Sequence, residues 1–131
     1  MKISMYQASV PRFASILSNL SNILDKAQTH VDARKLDPAA LTTYRLFPDM
    51  LPMTKQVQIA CDTAKGAVAR LAGVEIPVHE DNEKTLAELQ ARIAKTLAFI
   101  QGVTAQQIDG SEDKDIAVSY THLTLPTIYS V

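Results

Sequence analysis

From Phe13 onward the large apolar residues fall at Ile16, Leu17, Leu20, Ile23, Leu24, Ala27 and Val31, the i, i+3, i+4, i+7 repeat of an amphipathic helix. Ser15, Ser18, Asn19, Asn22, Asp25 and Lys26 fill positions between them and read as its wet face. Ser9 can supply the N-cap, with Pro11 tolerated in the first turn. One stripe of this helix therefore needs a partner.

Asp37-Pro38 is a cap followed by proline at the first helical position, which predicts a short helix to about Tyr44. Pro48 and Pro52 each disfavour helical geometry in the residue before them, so a bend is expected around Asp49-Met50-Leu51. A long helix then runs from about Met53 to Leu71 with Val57, Cys61, Ala64, Val68 and Leu71 on one seam and Gly73 as its C-cap. Its small residues Ala60, Ala64, Ala67 and Ala72 permit close helix approach. Val74 to Val78 form a connector, and Thr85-Leu86-Ala87-Glu88 has the form of a capping box, although Asp81 or Asn82 could start the helix a turn earlier. Leu86, Leu89, Ile93, Leu97 and Ile100 carry a third seam to Gly102. The stretch from Gly102 to Asp115 is polar and acidic with a turn at Asp109-Gly110, and Ile116 to Tyr120 reads as the start of a strand.

Three long amphipathic helices joined by short connectors define an all-α, antiparallel up-down bundle, whose usual closed form has four. The expected architecture is therefore a bundle truncated after three long helices. Such a chain leaves a seam open and is expected to be unstable or to self-associate, with a second copy as one partner.

Composition narrows the function classes. The 131 residues suit one domain, and 47% hydrophobic with 21% charged residues is the balance of a chain that folds. Thirteen Lys and Arg against 14 Asp and Glu give a net charge of -1, interspersed in sign, which lacks the basic footprint of a nucleic-acid binder. A single Cys61 forms no internal disulfide or CxxC pair, and no run of roughly 20 apolar residues is present. A cytoplasmic location without membrane contact is expected.

Gln58, Asp62 and Lys65 lie at i, i+4 and i+7 on one face of the second long helix, and Asp62 and Lys65 can pair at i, i+3. Arg45 and Asp49, on the proline-bracketed bend before it, are candidates to line one end of a bundle cavity with them. The plainer reading is a surface salt bridge and a capping carboxylate. Cys61, between Val57 and Ala64, reads as a packing residue rather than a nucleophile. His30 reads as an end-of-helix residue, and His79, beside Glu80 and Asp81, lacks a spaced His or Cys to complete a metal set. No metal ligands are assigned and no cofactor is evident.

Three segments carry a resemblance: Met5 to Phe13 (MYQASVPRF), Arg45 to Asp62 with its RLFPDMLP run and QVQIACD stretch, and Glu88 to Ile93 (ELQARI). They resemble an uncharacterised bacterial domain-of-unknown-function family allied to the DinB/YfiT-like four-helix bundles, over residues 1–117. The resemblance implies a fourth helix. In the wider superfamily it also implies a metal-dependent transferase or hydrolase, with one His on the second helix and an H-x3-H pair on the fourth. Met53 to Leu71 contains no His, so a divalent metal is expected only in a full-length form. Residues 118–131 are set apart as a non-native tail, because Val118 to Thr127 (VSYTHLTLPT) resembles a translated sequencing-library adapter. Tyr120 and His122 accordingly take no part in the site. The leading expectation is a binding or interaction module for a second copy or an unknown small molecule; the alternative is the DinB-like enzyme whose site needs the fourth helix.

Overall fold

Ser4 starts the first helix. In the computed structural model, which describes residues 2–118, its hydroxyl accepts from the Gln7 N–H at 3.1 Å while the Gln7 side chain accepts from the Ser4 N–H at 3.2 Å. This reciprocal cap satisfies two donors that a helix end leaves free. Helix α1 therefore spans Met5–Arg34, and Ser9 is an interior residue, not the cap. The Ser9 hydroxyl donates to the Met5 carbonyl at 2.8 Å, a bond that only the buried helical position offers. Pro11 consequently lies beyond the first turn and leaves the Gln7 carbonyl without its helical donor.

Helix α2 spans Pro38–Thr42, capped by Asp37, and ends two residues short of Tyr44. Helix α3 spans Met53–Ala72 and stops at Gly73, whose φ of 70° lies in the left-handed region that a residue without Cβ adopts cheaply. Helix α4 spans Leu86–Gln101, with the Thr85 hydroxyl accepting from the Glu88 N–H at 3.1 Å. The Glu88 carboxylate reaches back to the Lys84 N–H rather than to that of Thr85, so the predicted box forms one residue wide of register.

The core is an all-α bundle in which α4 packs against both α1 and α3. Val10, Leu17, Leu24 and Val31 form a seven-residue ladder along α1, and all four are buried. Leu86, Leu89, Ile93 and Ile100 of α4 meet them, and Val57, Cys61, Ala64 and Val68 of α3 close the other side. A seven-residue repeat on facing helices is the geometry of knobs-into-holes bundle packing.

Three sequence expectations change here. The stretch after Gly102 holds a short helix, α5 (Ala105–Ile108), capped by Thr104 and Gln107, with Val103 and Ile108 buried. Asp109 fastens it to α1 by accepting from the Tyr6 N–H at 3.1 Å. Ile116 to Val118 form no strand; Ser119 and Tyr120 lie outside the described residues. The tail assigned to 118–131 also lies outside them, apart from Val118. Ile16 and Ile23, read as core, are 64% and 56% exposed. The α4 contact is centred on Leu17 and Leu24, and the flank one residue back on the helix is left uncovered.

Candidate functional site

Polar groups gather where α3, α4 and the connector between them meet. Arg92 occupies a seam position of α4, three residues after Leu89 and next to Ile93, and is 2% exposed. A guanidinium so placed must find acceptors, because an unpaired buried charge costs several kcal/mol, about 3–5 when a partner is lost. It finds four. Its Nη2 lies 2.8 Å from Asp62 Oδ1 on α3, and its Nη1 lies 2.7 Å from Glu83 Oε1 and 2.9 Å from Asp81 Oδ1 in the connector. Nη1 also donates to the Glu80 carbonyl at 2.9 Å.

The sequence-predicted residues divide into two groups. Asp62 holds Lys65 at 3.2 Å, the expected i, i+3 pair, but Lys65 is buried rather than a surface partner. Gln58 is also buried and donates from Nε2 to the same Glu83 Oε1 that Arg92 uses, at 3.2 Å. Gln58, Asp62 and Lys65 thus form one network with Arg92, Glu83 and Asp81, to which Lys55 adds a longer contact of 3.6 Å with Asp81. Arg45 and Asp49 stand apart. Arg45 donates to the Met50 carbonyl across the exposed bend at 2.9 Å, and Asp49 is exposed there with no ion pair among the described residues. The prolines hold this bend as a local loop and keep both side chains off the bundle interior.

Reasoning from sequence missed Arg92, Glu83 and Asp81. The signal was present: a charged residue sits at a core register of α4, and Thr96, one turn on, is another polar residue on the same seam, fully buried with its hydroxyl turned back to the Arg92 carbonyl at 3.0 Å. Only a charge with partners across the interface survives at such a position.

The network sets the chemistry of its members. Burial works against the Asp62 carboxylate, but hydrogen bonds from Arg92 and Lys65 outweigh it and hold the group below its ordinary value. Burial pushes the Cys61 thiol up, against the hydrogen bond to Thr96 and the charge of Arg92, so it stays protonated and inert at neutral pH. His79 is pushed down, first by burial and then by the positive charges of Lys65, Lys95 and Arg92, with only Asp62 opposing. Its Nδ1 is buried without a partner among the described residues.

The sign for His79 follows directly. The folded chain binds this proton less readily than the unfolded chain, so the neutral ring contributes stability above the unfolded value of 6.5, and that contribution is lost as pH falls. Denaturation midpoints are expected to drop between pH 7.5 and 5.5, and His79→Gln is expected to flatten the drop. An unchanged slope in the variant would assign it elsewhere.

Among the described residues, no three His, Cys, Asp or Glu side chains converge as ligands of one ion. His30 is exposed on α1, and the charges nearest His79 are mostly positive, which opposes a cation. The donors present do not fit the metal site that the superfamily resemblance implies. No helix among the described residues is long and apolar enough to cross a membrane.

The all-α bundle, with α4 wedged between α1 and α3, is similar in fold to a DinB family protein. A solved structure of a DinB family member protein from Shewanella denitrificans superposes with a TM-score of 0.76 at 43% identity, covering 79% of this chain and 59% of that one. The chain belongs to the family described as domain of unknown function (DUF1993), whose profile matches residues 5–127. It spans 59% of the length of the Shewanella protein, and no curated protein matches it.

Proposed function

We propose that this DUF1993 chain is a helical interaction module whose contact surface is the uncovered flank of α1. The observation behind this reading is the exposure of Ile16 and Ile23, 64% and 56%, on a helix whose neighbouring ladder of Val10, Leu17, Leu24 and Val31 is buried. Large apolar residues grouped on one exposed face mark interaction surfaces. The polar alternative is already engaged, since Gln58, Asp62 and Lys65 are all bound into the Arg92 network. A DinB-like metal-dependent transferase or hydrolase would need donors beyond the described residues.

The test is the double substitution Ile16→Gln, Ile23→Gln. An interaction surface tolerates it, with the melting temperature unchanged within about 2 °C and less binding of a hydrophobic dye, because surface changes typically stay within roughly 0.5 kcal/mol. A fall of 10 °C or so would make the flank part of the core and end this reading.

A further inference from the structure

We propose that the cavity between α2, the first turn of α3 and the connector before α4 binds a free α-amino acid, its carboxylate at the α3 N-terminus and its ammonium at Gln58 and Glu83. The cavity has a volume of about 510 Å³ and shares no residue with the α1 flank, so the inference goes beyond the contact-surface reading. Small-molecule sites span roughly 300–1,000 Å³, which leaves ample room for such a ligand.

Its buried end is short of hydrogen-bond donors. Gln58 lines the cavity, is 2% exposed, and gives only its amide N–H to the Arg92 network, through Glu83 Oε1; its own Oε1 has no partner among the described residues. A buried acceptor in that state costs free energy until a donor reaches it. Glu83 uses Oε1 for both Arg92 and Gln58, and its Oε2 makes no hydrogen bond among the described residues. Charge runs the same way. Asp62, Asp81 and Glu83 meet two buried cations, Arg92 and Lys65, which leaves one negative charge over. Lys55 answers it only at 3.6 Å, and from a half-exposed position. A ligand ammonium supplies both the donor that Gln58 lacks and the missing positive charge.

The exposed end has the opposite character. Helix α3 begins at Met53 with no side-chain cap, and the Thr54 and Lys55 N–H groups donate to nothing among the described residues. Free N–H groups and the helix dipole favour an anion there. Lys55 and Lys84 line the same cavity, and Lys84 makes no ion pair among the described residues. A carboxylate therefore suits this end. Lys55 and Gln58 are separated by about 4.5 Å along the helix axis, and helical side chains lean toward the N-terminus. An α-amino acid, with one carbon between ammonium and carboxylate, reaches both ends, whereas an amine or an acid alone satisfies one and leaves the other.

The experiment is isothermal titration calorimetry of the full chain with each of the standard amino acids, and with propylamine and propionate as half-ligands. At least one amino acid is expected to bind with a Kd of about 1 mM or tighter, and at least about tenfold more tightly than either half-ligand. Gln58→Leu should remove that binding. Because Gln58 is buried, its loss can also weaken the fold, so Lys55→Gln with Lys84→Gln, both on the exposed side, forms a second arm. That pair should weaken binding about tenfold or more while the melting temperature stays within about 2 °C of the parent. Binding of none of the amino acids overturns the proposal. So does propylamine or propionate binding as tightly as the best amino acid, or unchanged affinity in the lysine pair.

Discussion

Arg92→Ala is expected to cost about 3 kcal/mol, a large part of the roughly 5–15 kcal/mol that holds an ordinary domain together. The substitution removes the one cation on which Asp62, Asp81 and Glu83 converge from two directions, at 2.7 to 2.9 Å. Glu83, only 9% exposed at its side chain, loses a charge partner it cannot replace with water, whereas Asp62 and Asp81, 45% and 44% exposed, recover part of theirs. That solvation keeps the expected figure at the lower end of the range for breaking buried pairs. Arg92→Lys keeps the charge but cannot present two nitrogens to carboxylates on opposite sides, so it should fall between parent and alanine variant. Asp62→Asn, at the more exposed end, should cost about 1 kcal/mol or less. Urea denaturation of the three variants orders them; a loss under 1 kcal/mol for Arg92→Ala would mean the connector is held by packing instead.

The same arginine shows how far the sequence could be read. The three long helices were legible because their signals are local: apolar periodicity, the Asp37-Pro38 start, the Gly73 stop and the Thr85 cap each act within one or two turns. The start of α1 was misplaced because both Ser4 and Ser9 suit a cap, and the choice depends on Gln7 closing the reciprocal bond of Ser4. Helix α5 was missed because it is one turn long and is held by tertiary contacts, the burial of Ile108 and the grip of Asp109 on Tyr6.

The site was half legible for a different reason. The shared face of Gln58, Asp62 and Lys65 follows from helical spacing alone, so the sequence could group them. Glu83, which Gln58 contacts, and Asp81 sit on a connector with no periodicity, and only the folded chain brings them to Arg92. Arg45 and Asp49 were joined to the group by nearness in sequence, which the proline-bracketed bend then defeats. Periodicity likewise cannot say which flank of a broad apolar stripe is covered. Ile16 and Leu17 carry the same signal in the sequence, and the position of α4 alone buries one and exposes the other.

That last distinction gives the largest expected contrast in the molecule. Ile93 of α4 is fully buried between α1 and α3, and Ile23 of α1 is 56% exposed. Ile93→Ala removes buried methyl and methylene groups and leaves a cavity in contact with rigid helices, for a loss of roughly 2–5 kcal/mol. For a chain of this size that is a fall in melting temperature of about 10–25 °C. Ile23→Ala removes the same atoms from a surface that water already reaches, and alanine is also the better helix former, so its expected change is within about 0.5 kcal/mol of zero. One residue type and one substitution should thus differ several-fold in effect, as measured by thermal unfolding of the two variants at equal concentration. Equal losses would place Ile23 in a buried interface of the isolated chain, whether within the fold or between copies. The concentration dependence of the melting temperature separates those two cases, because only an interface between copies makes it rise with protein.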